Sequence, residues 1–191
     1  MQVLKTHRAQ AARPAADRAT LLAACLAPAL ATLLAAGPAL AQGGATATVH
    51  AGTYYVVSVS TGLALQPPTP MAGNNVFLLP FNRGGAQRWV LRPVADARTG
   101  KHTGRFTLQL DGAAPLYLQP YPVPGHTAIV GSARSASYQL RPVGGGHVEI
   151  RNHQLNGDAL HAVPAGPLPT EAQLAPSDGS TAFQWDLVPA D

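Results

Sequence analysis

Trp89-Val90-Leu91-Arg92-Pro93, Tyr138-Gln139-Leu140-Arg141-Pro142 and Trp185-Asp186-Leu187-Val188-Pro189 are three versions of one aromatic-x-Leu-x-Pro segment. Their aromatic residues stand 49 and then 47 positions apart. Self-similarity at a near-constant period is the mark of a chain built from repeated units, so the stretches before each copy should echo one another as well. They do. Gly52-Thr53-Tyr54-Tyr55-Val56, Gly104-Arg105-Phe106-Thr107-Leu108 and Gly146-His147-Val148-Glu149-Ile150 open the three thirds. Leu63-Ala64-Leu65-Gln66-Pro67, Leu116-Tyr117-Leu118-Gln119-Pro120 and Leu160-His161-Ala162-Val163-Pro164 form a second set of echoes. Val76-Phe77-Leu78-Leu79-Pro80 and Ala172-Gln173-Leu174-Ala175-Pro176 form another, which Ala128-Ile129-Val130-Gly131-Ser132 answers loosely in the middle.

In each echo residues i and i+2 are apolar, the period of a strand with one buried face. Proline closes three of the four echoes, where a missing N–H harms no ladder. No stretch after residue 41 has helical periodicity long enough to compete. Four strands in each of three units predict an all-β chain of twelve strands, the pattern of a β-trefoil, with units at about 50–94, 103–144 and 146–190. A three-bladed propeller is the architectural rival, but blade counts usually begin at about four.

The first 41 of the 191 residues read as a leader. Lys5, Arg8, Arg13 and Arg18 precede an apolar run from Leu21 to Ala36, and Ala39-Leu40-Ala41 offers small residues to a signal peptidase. The run is shorter than the roughly 20 apolar residues that span a bilayer, which argues against a membrane anchor. Leu22-Ala23-Ala24-Cys25 has the look of a lipobox, but the apolar run continues past the cysteine. The expectation is a cleaved signal peptide at 1–41, a single domain at 42–191, a secreted or periplasmic product, and no membrane contact once the leader is removed.

The whole chain carries 13 Lys+Arg against 9 Asp+Glu, but four of those bases and one acid lie in the leader. The remainder is nearly neutral and has no Lys/Arg cluster, so a nucleic-acid partner is excluded. It also lacks cysteine, so burial and β-ladders must hold it together without disulfides.

Gln87-Arg88-Trp89 matches the Gln-x-Trp signature of the ricin-B-type β-trefoils, and Phe183-Gln184-Trp185 is a degenerate copy. The chain resembles that family over about residues 50–190. The resemblance implies that Trp89, Tyr138 and Trp185 pack in a shared core and that the glutamine bonds to local backbone. It also implies carbohydrate binding, through an Asp after the second strand of a unit, an aromatic platform on the third strand and nearby amide donors. Here the Asp position holds Gln66, Gln119 and Val163, and the platform position is read as Leu79, Val130 or Ala175. An inherited galactose-type site is therefore not expected. The candidate carbohydrate-binding surface is instead Tyr117, Gln119, Tyr121 and His126 of the middle unit, with alternation placing Tyr117 outward.

Catalytic motifs are missing: there is no Gly-x-Ser-x-Gly elbow, no zinc helix and no cysteine nucleophile after the leader. His153, Asp158 and His161 lie close in sequence but read as turn residues. The expectation is a non-enzymatic binding module without cofactor or metal, with a glycan or an extracellular protein as partner. The chain is also similar to trefoil-type serine protease inhibitors, whose reactive loop in the plant type joins the fourth and fifth strands. The corresponding segment is the polar stretch 95–103, in which Arg98 would suit a trypsin-like pocket. A protein–protein scaffold is the third alternative.

Overall fold

Short alternating runs punctuated by Gly and Pro give twelve strands in the computed structural model, which describes residues 48–121, 127–132, 136–163 and 169–191. They are β1 (Gly52–Ser58), β2 (Leu63–Gln66), β3 (Phe77–Pro80), β4 (Arg88–Ala95), β5 (His102–Leu110), β6 (Tyr117–Pro120), β7 (Ala128–Gly131), β8 (Tyr138–Gly144), β9 (His147–Asn152), β10 (Ala159–Ala162), β11 (Thr170–Ala175) and β12 (Trp185–Pro189). Two 3-10 turns, Gly85–Gln87 and Thr181–Phe183, precede β4 and β12.

Six of the strands close on themselves. β1 pairs with β4 and β12, β4 with β5, β5 with β8, β8 with β9, and β9 with β12, all antiparallel. A closed ring has no free edge to pair with another chain. The other six strands make three hairpins, β2–β3, β6–β7 and β10–β11. The hairpins meet one another through Glu171 opposite Phe77, Asn75 opposite Ile129 and Thr127 opposite Gln173.

Trp89, Tyr138 and Trp185 are fully buried in one core cluster with Leu65, Leu118 and Leu160. Both indoles hydrogen-bond a main-chain carbonyl across that core: Trp89 Nε1 donates to Leu65 O and Trp185 Nε1 to Leu160 O, each at 2.9 Å. A buried indole N–H needs such a partner. Gln87, also fully buried, donates from Nε2 to Pro80 O at 2.8 Å and accepts from Asn82 N at 3.0 Å. It thereby fixes the turn that delivers Trp89.

The register corrects two alignments. Leu65 faces Leu78, Leu118 faces Val130 and Leu160 faces Leu174. The third-unit counterpart of Gln66 and Gln119 is therefore His161, not Val163. Val130 is a buried core residue, and the middle-unit counterpart of Leu79 is Gly131. The first error is a slip of two, which keeps every side chain on its own face and so goes unnoticed, whereas the second is a slip of one, which turns a buried residue outward.

A third correction concerns the polar stretch 95–103. β4 runs to Ala95 and β5 starts at His102, with those two residues paired, so the connection is a hairpin turn and not a nine-residue loop.

Candidate functional site

Where β3 alternates, Val76 and Leu78 are buried and Phe77 between them is only partly so. Phe77 lies opposite Gln66 on β2 and opposite Glu171 on β11. An aromatic ring, an amide and a carboxylate therefore line up across three neighbouring strands. The Glu171 carboxylate accepts from Asn75 Nδ2 at 2.6 Å and from Thr127 Oγ1 at 3.5 Å, so it is held where the hairpins converge. The sequence reading passed over Phe77 because it placed the third-strand platform two residues later, at Leu79. The signal that could have found it is the alternation of that echo, Val76 and Leu78 inward and Phe77 outward.

The middle hairpin presents its own row. Tyr117 and Gln119 are half-buried and Tyr121, just past β6, is 45% exposed, while Leu116 and Leu118 point into the core. Tyr117, Gln119 and Tyr121 thus share the outer face. Gln119 lies across Gly131 of β7: a Cβ at that glycine would clash with the Gln119 side-chain amide. The bare backbone of Gly131 is what lets the amide lie down between the two strands. His126 lies outside the described residues. Across β5, Gln109 faces Tyr117 and accepts from Arg92 Nε at 2.9 Å.

In the third hairpin His161 faces Gln173 and packs against Phe183 with ring centroids 5.0 Å apart. Burial keeps its pKa below the ordinary histidine value despite the Ala162 backbone and the nearby Asp178 carboxylate. His153 is exposed, and Asp158 sits in the turn that closes on Asn152. Among the described residues no group of three His, Cys, Asp or Glu side chains is placed to hold a metal ion.

Arg98 is exposed in the turn between β4 and β5. That turn is internally bonded. Asp96 N donates to Lys101 O and Gly100 N to Asp96 O, both at 2.8 Å, with Gly100 at a φ of 69° that favours glycine. Asp96 Oδ1 accepts from Thr99 N, Thr99 Oγ1 and Arg98 N at 2.9, 3.0 and 3.0 Å. These bonds, the two from Thr99 first, hold the Asp96 carboxyl below its ordinary pKa. The Arg98 N–H is thus already engaged within the turn.

No family model matches the sequence, and no curated protein matches it. Solved structures do match in fold. The designed three-fold symmetric protein ThreeFoil is 22% identical over 72% of this chain and 98% of its own, with a TM-score of 0.61. A ricin B-like lectin from Macrolepiota procera, in complex with lactose, is 18% identical over 74% of this chain and 99% of its own, with a TM-score of 0.58. An exo-β-1,3-galactanase from Clostridium thermocellum is 16% identical over 72% of this chain but only 30% of its own, with a TM-score of 0.62. The chain shares the β-trefoil fold of the ricin B-like lectins.

Proposed function

We propose that this protein is an exported, non-enzymatic β-trefoil of three equivalent four-strand units that binds glycans. The observation that carries this reading is the pairing of a ring with an amide on the outer face of two hairpins: Tyr117 and Tyr121 with Gln119 on β6, and Phe77 opposite Gln66 on β2–β3. A pyranose has one apolar face and a rim of paired hydroxyls. A ring covers the first, and an amide, which both donates and accepts, bonds the second. The Macrolepiota lectin of the same fold, bound to lactose, supports the assignment. In this reading residues 1–41 are a cleaved leader and the working protein starts at Gln42.

The test is a glycan array probed with the wild type, Tyr117→Ala and Phe77→Ala. Loss of retention in Tyr117→Ala at unchanged thermal stability is expected if the middle hairpin is the main site, since partly exposed side chains usually contribute little to folding. Loss in Phe77→Ala alone would move the site to the first hairpin. A wild type that retains no glycan sinks the reading. Protease inhibition remains the second reading because Arg98 is exposed at a turn tip, and Arg98→Ala against a trypsin-like enzyme tests it.

A further inference from the structure

Around the ring, consecutive four-strand sets meet along β4–β5, β8–β9 and β12–β1, and the outer side chains at the three seams differ in kind. At β12–β1 they are mostly apolar, Tyr55, Val57 and Val188, with Phe81 packed on Tyr55 at a centroid distance of 5.2 Å and Asp186 opposite Val57. At β4–β5, Arg92 donates to Gln109 as a charged donor to a neutral acceptor, and Arg88 pairs with Asp111, just past β5, at 2.9 Å. At β8–β9 a buried carboxylate meets two arginines, with Arg141 directly opposite Glu149 and Arg151 opposite Gln139.

The Glu149 side chain is 3% exposed and its carboxylate accepts three hydrogen bonds. Arg151 donates to Oε2 from Nε at 2.8 Å and from Nη2 at 2.6 Å, and Ser177 Oγ donates to Oε1 at 2.8 Å. Burial on its own would raise this carboxyl, but Ser177, Arg151 and Arg141 together outweigh it, so its pKa lies below the ordinary value and the group stays charged. Arg151 neutralises it. Arg141 is surplus: its guanidinium is 3.8 Å from Oε2, too long for a hydrogen bond, and its side chain is 60% exposed. Both arginines border a polar cleft of about 370 Å³ that Ser177 and Gln184 also line. That is the lower end of the roughly 300–1,000 Å³ of ligand pockets, room for a ring or two and not for a long chain.

We propose that this cleft binds the oxyanion, carboxylate or sulfate, of an acidic saccharide. A buried carboxylate inside a cation site looks contrary to that purpose, but it is what holds the Arg151 fork still. The cleft then carries one net positive charge, with a pre-placed guanidinium beside an exposed one. Arg141 takes the oxyanion through its fork, a geometry suited to carboxylate and sulfate alike. The Gln184 amide, which donates to Gly179 O at 3.4 Å and keeps its oxygen as an acceptor, lines the same cleft with Ser177. The saccharide part of the proposal rests on the glycan reading above; the oxyanion part does not.

The full exported protein is probed on an array of matched neutral, sulfated and uronate saccharides, and titrated separately with inorganic sulfate by NMR. Acidic members should be retained about tenfold better than their neutral partners, as expected for a charge-assisted bond. The preference should fall as salt rises. Arg141→Gln should abolish it at unchanged melting temperature, and Arg141→Lys should restore part of it. Sulfate should shift the Arg141 and Arg151 side-chain resonances in the wild type only. If acidic and neutral members bind alike, or Arg141→Gln keeps the preference, this proposal fails and the glycan reading stands. Sulfate shifts without any saccharide retention would uphold the oxyanion site and sink the glycan reading. No sulfate shift and no retention overturns both.

Discussion

Trp89 and Trp185 on one hand and Tyr138 on the other fill the same core by different means. Trp89 and Trp185 each reach across to a carbonyl on the second strand of their own set, Leu65 or Leu160, and close a hydrogen bond of 2.9 Å. Tyr138 is as deeply buried, but its hydroxyl, opposite Asn152, has no partner at hydrogen-bond geometry, and neither has Asn152 Nδ2. Burial drives the Tyr138 pKa upward, so the phenol stays neutral. The difference separates two contributions of a buried aromatic. Volume is supplied by all three residues, while a bond that ties a hairpin to the ring is supplied by two.

The largest effect should come from removing volume. Trp89→Ala is expected to cost about 3–5 kcal/mol, the range for large-to-small core changes, read as a shift in denaturant midpoint. Next is Trp185→Phe, which keeps most of the volume but leaves the buried Leu160 carbonyl without its donor, at about 1–3 kcal/mol. Tyr138→Phe removes a hydroxyl that has no partner, so it should be neutral or stabilise by up to about 1 kcal/mol. If Tyr138→Phe costs as much as Trp185→Phe, the hydroxyl is bonded in solution and the contrast between tyrosine and tryptophan collapses.

The smallest expected effect is on acid stability. The Glu149 carboxyl has a depressed pKa in the folded state, so its contribution is present above the ordinary carboxylate pKa and is lost as pH falls through the folded value. Melting temperature followed from neutral pH downward should therefore drop less steeply in Glu149→Gln than in the wild type. At β4–β5 the residue facing its arginine is Thr107, which has no charge to lose, so Thr107→Val should leave the slope of that curve unchanged.

The strands were legible in the sequence because alternation reports a buried face directly, and the recurring aromatic-x-Leu-x-Pro segment located β4, β8 and β12. Gln87 was legible for the same reason: its spacing to Trp89 places it in the turn before the strand. The register of the hairpins was not. Leu160-His161-Ala162 and Leu63-Ala64-Leu65 match by eye, yet the Trp185 bond falls on Leu160 while that of Trp89 falls on Leu65. Alternation cannot tell such frames apart. The candidate rows inherit that ambiguity. Tyr117, Gln119 and Tyr121 came through because they share one strand and its immediate end, whereas Phe77 and His161 needed a cross-strand partner to be placed. The cleft at Glu149 was hidden for another reason. Glu149 and Arg151 share β9, but Arg141 on β8 and Ser177 after β11 come from elsewhere in the chain, so no local motif marks the cleft.

The strand that completes the ring is the last one made. Five residue pairs join β1 to β12, from Tyr54 with Pro189 to Ser58 with Trp185, and β12 also meets β9 at Val148. A chain appearing from its N-terminus thus holds β1 and β9 with open edges until residues 185–189 arrive. Contacts between the two ends of a chain carry a large closure entropy and slow folding. The ring therefore cannot close until those residues are in place. Until then the open edge of β1 matches the β12 of a second copy as well as its own, so strand-exchanged dimers are the expected by-product when copies meet before closure.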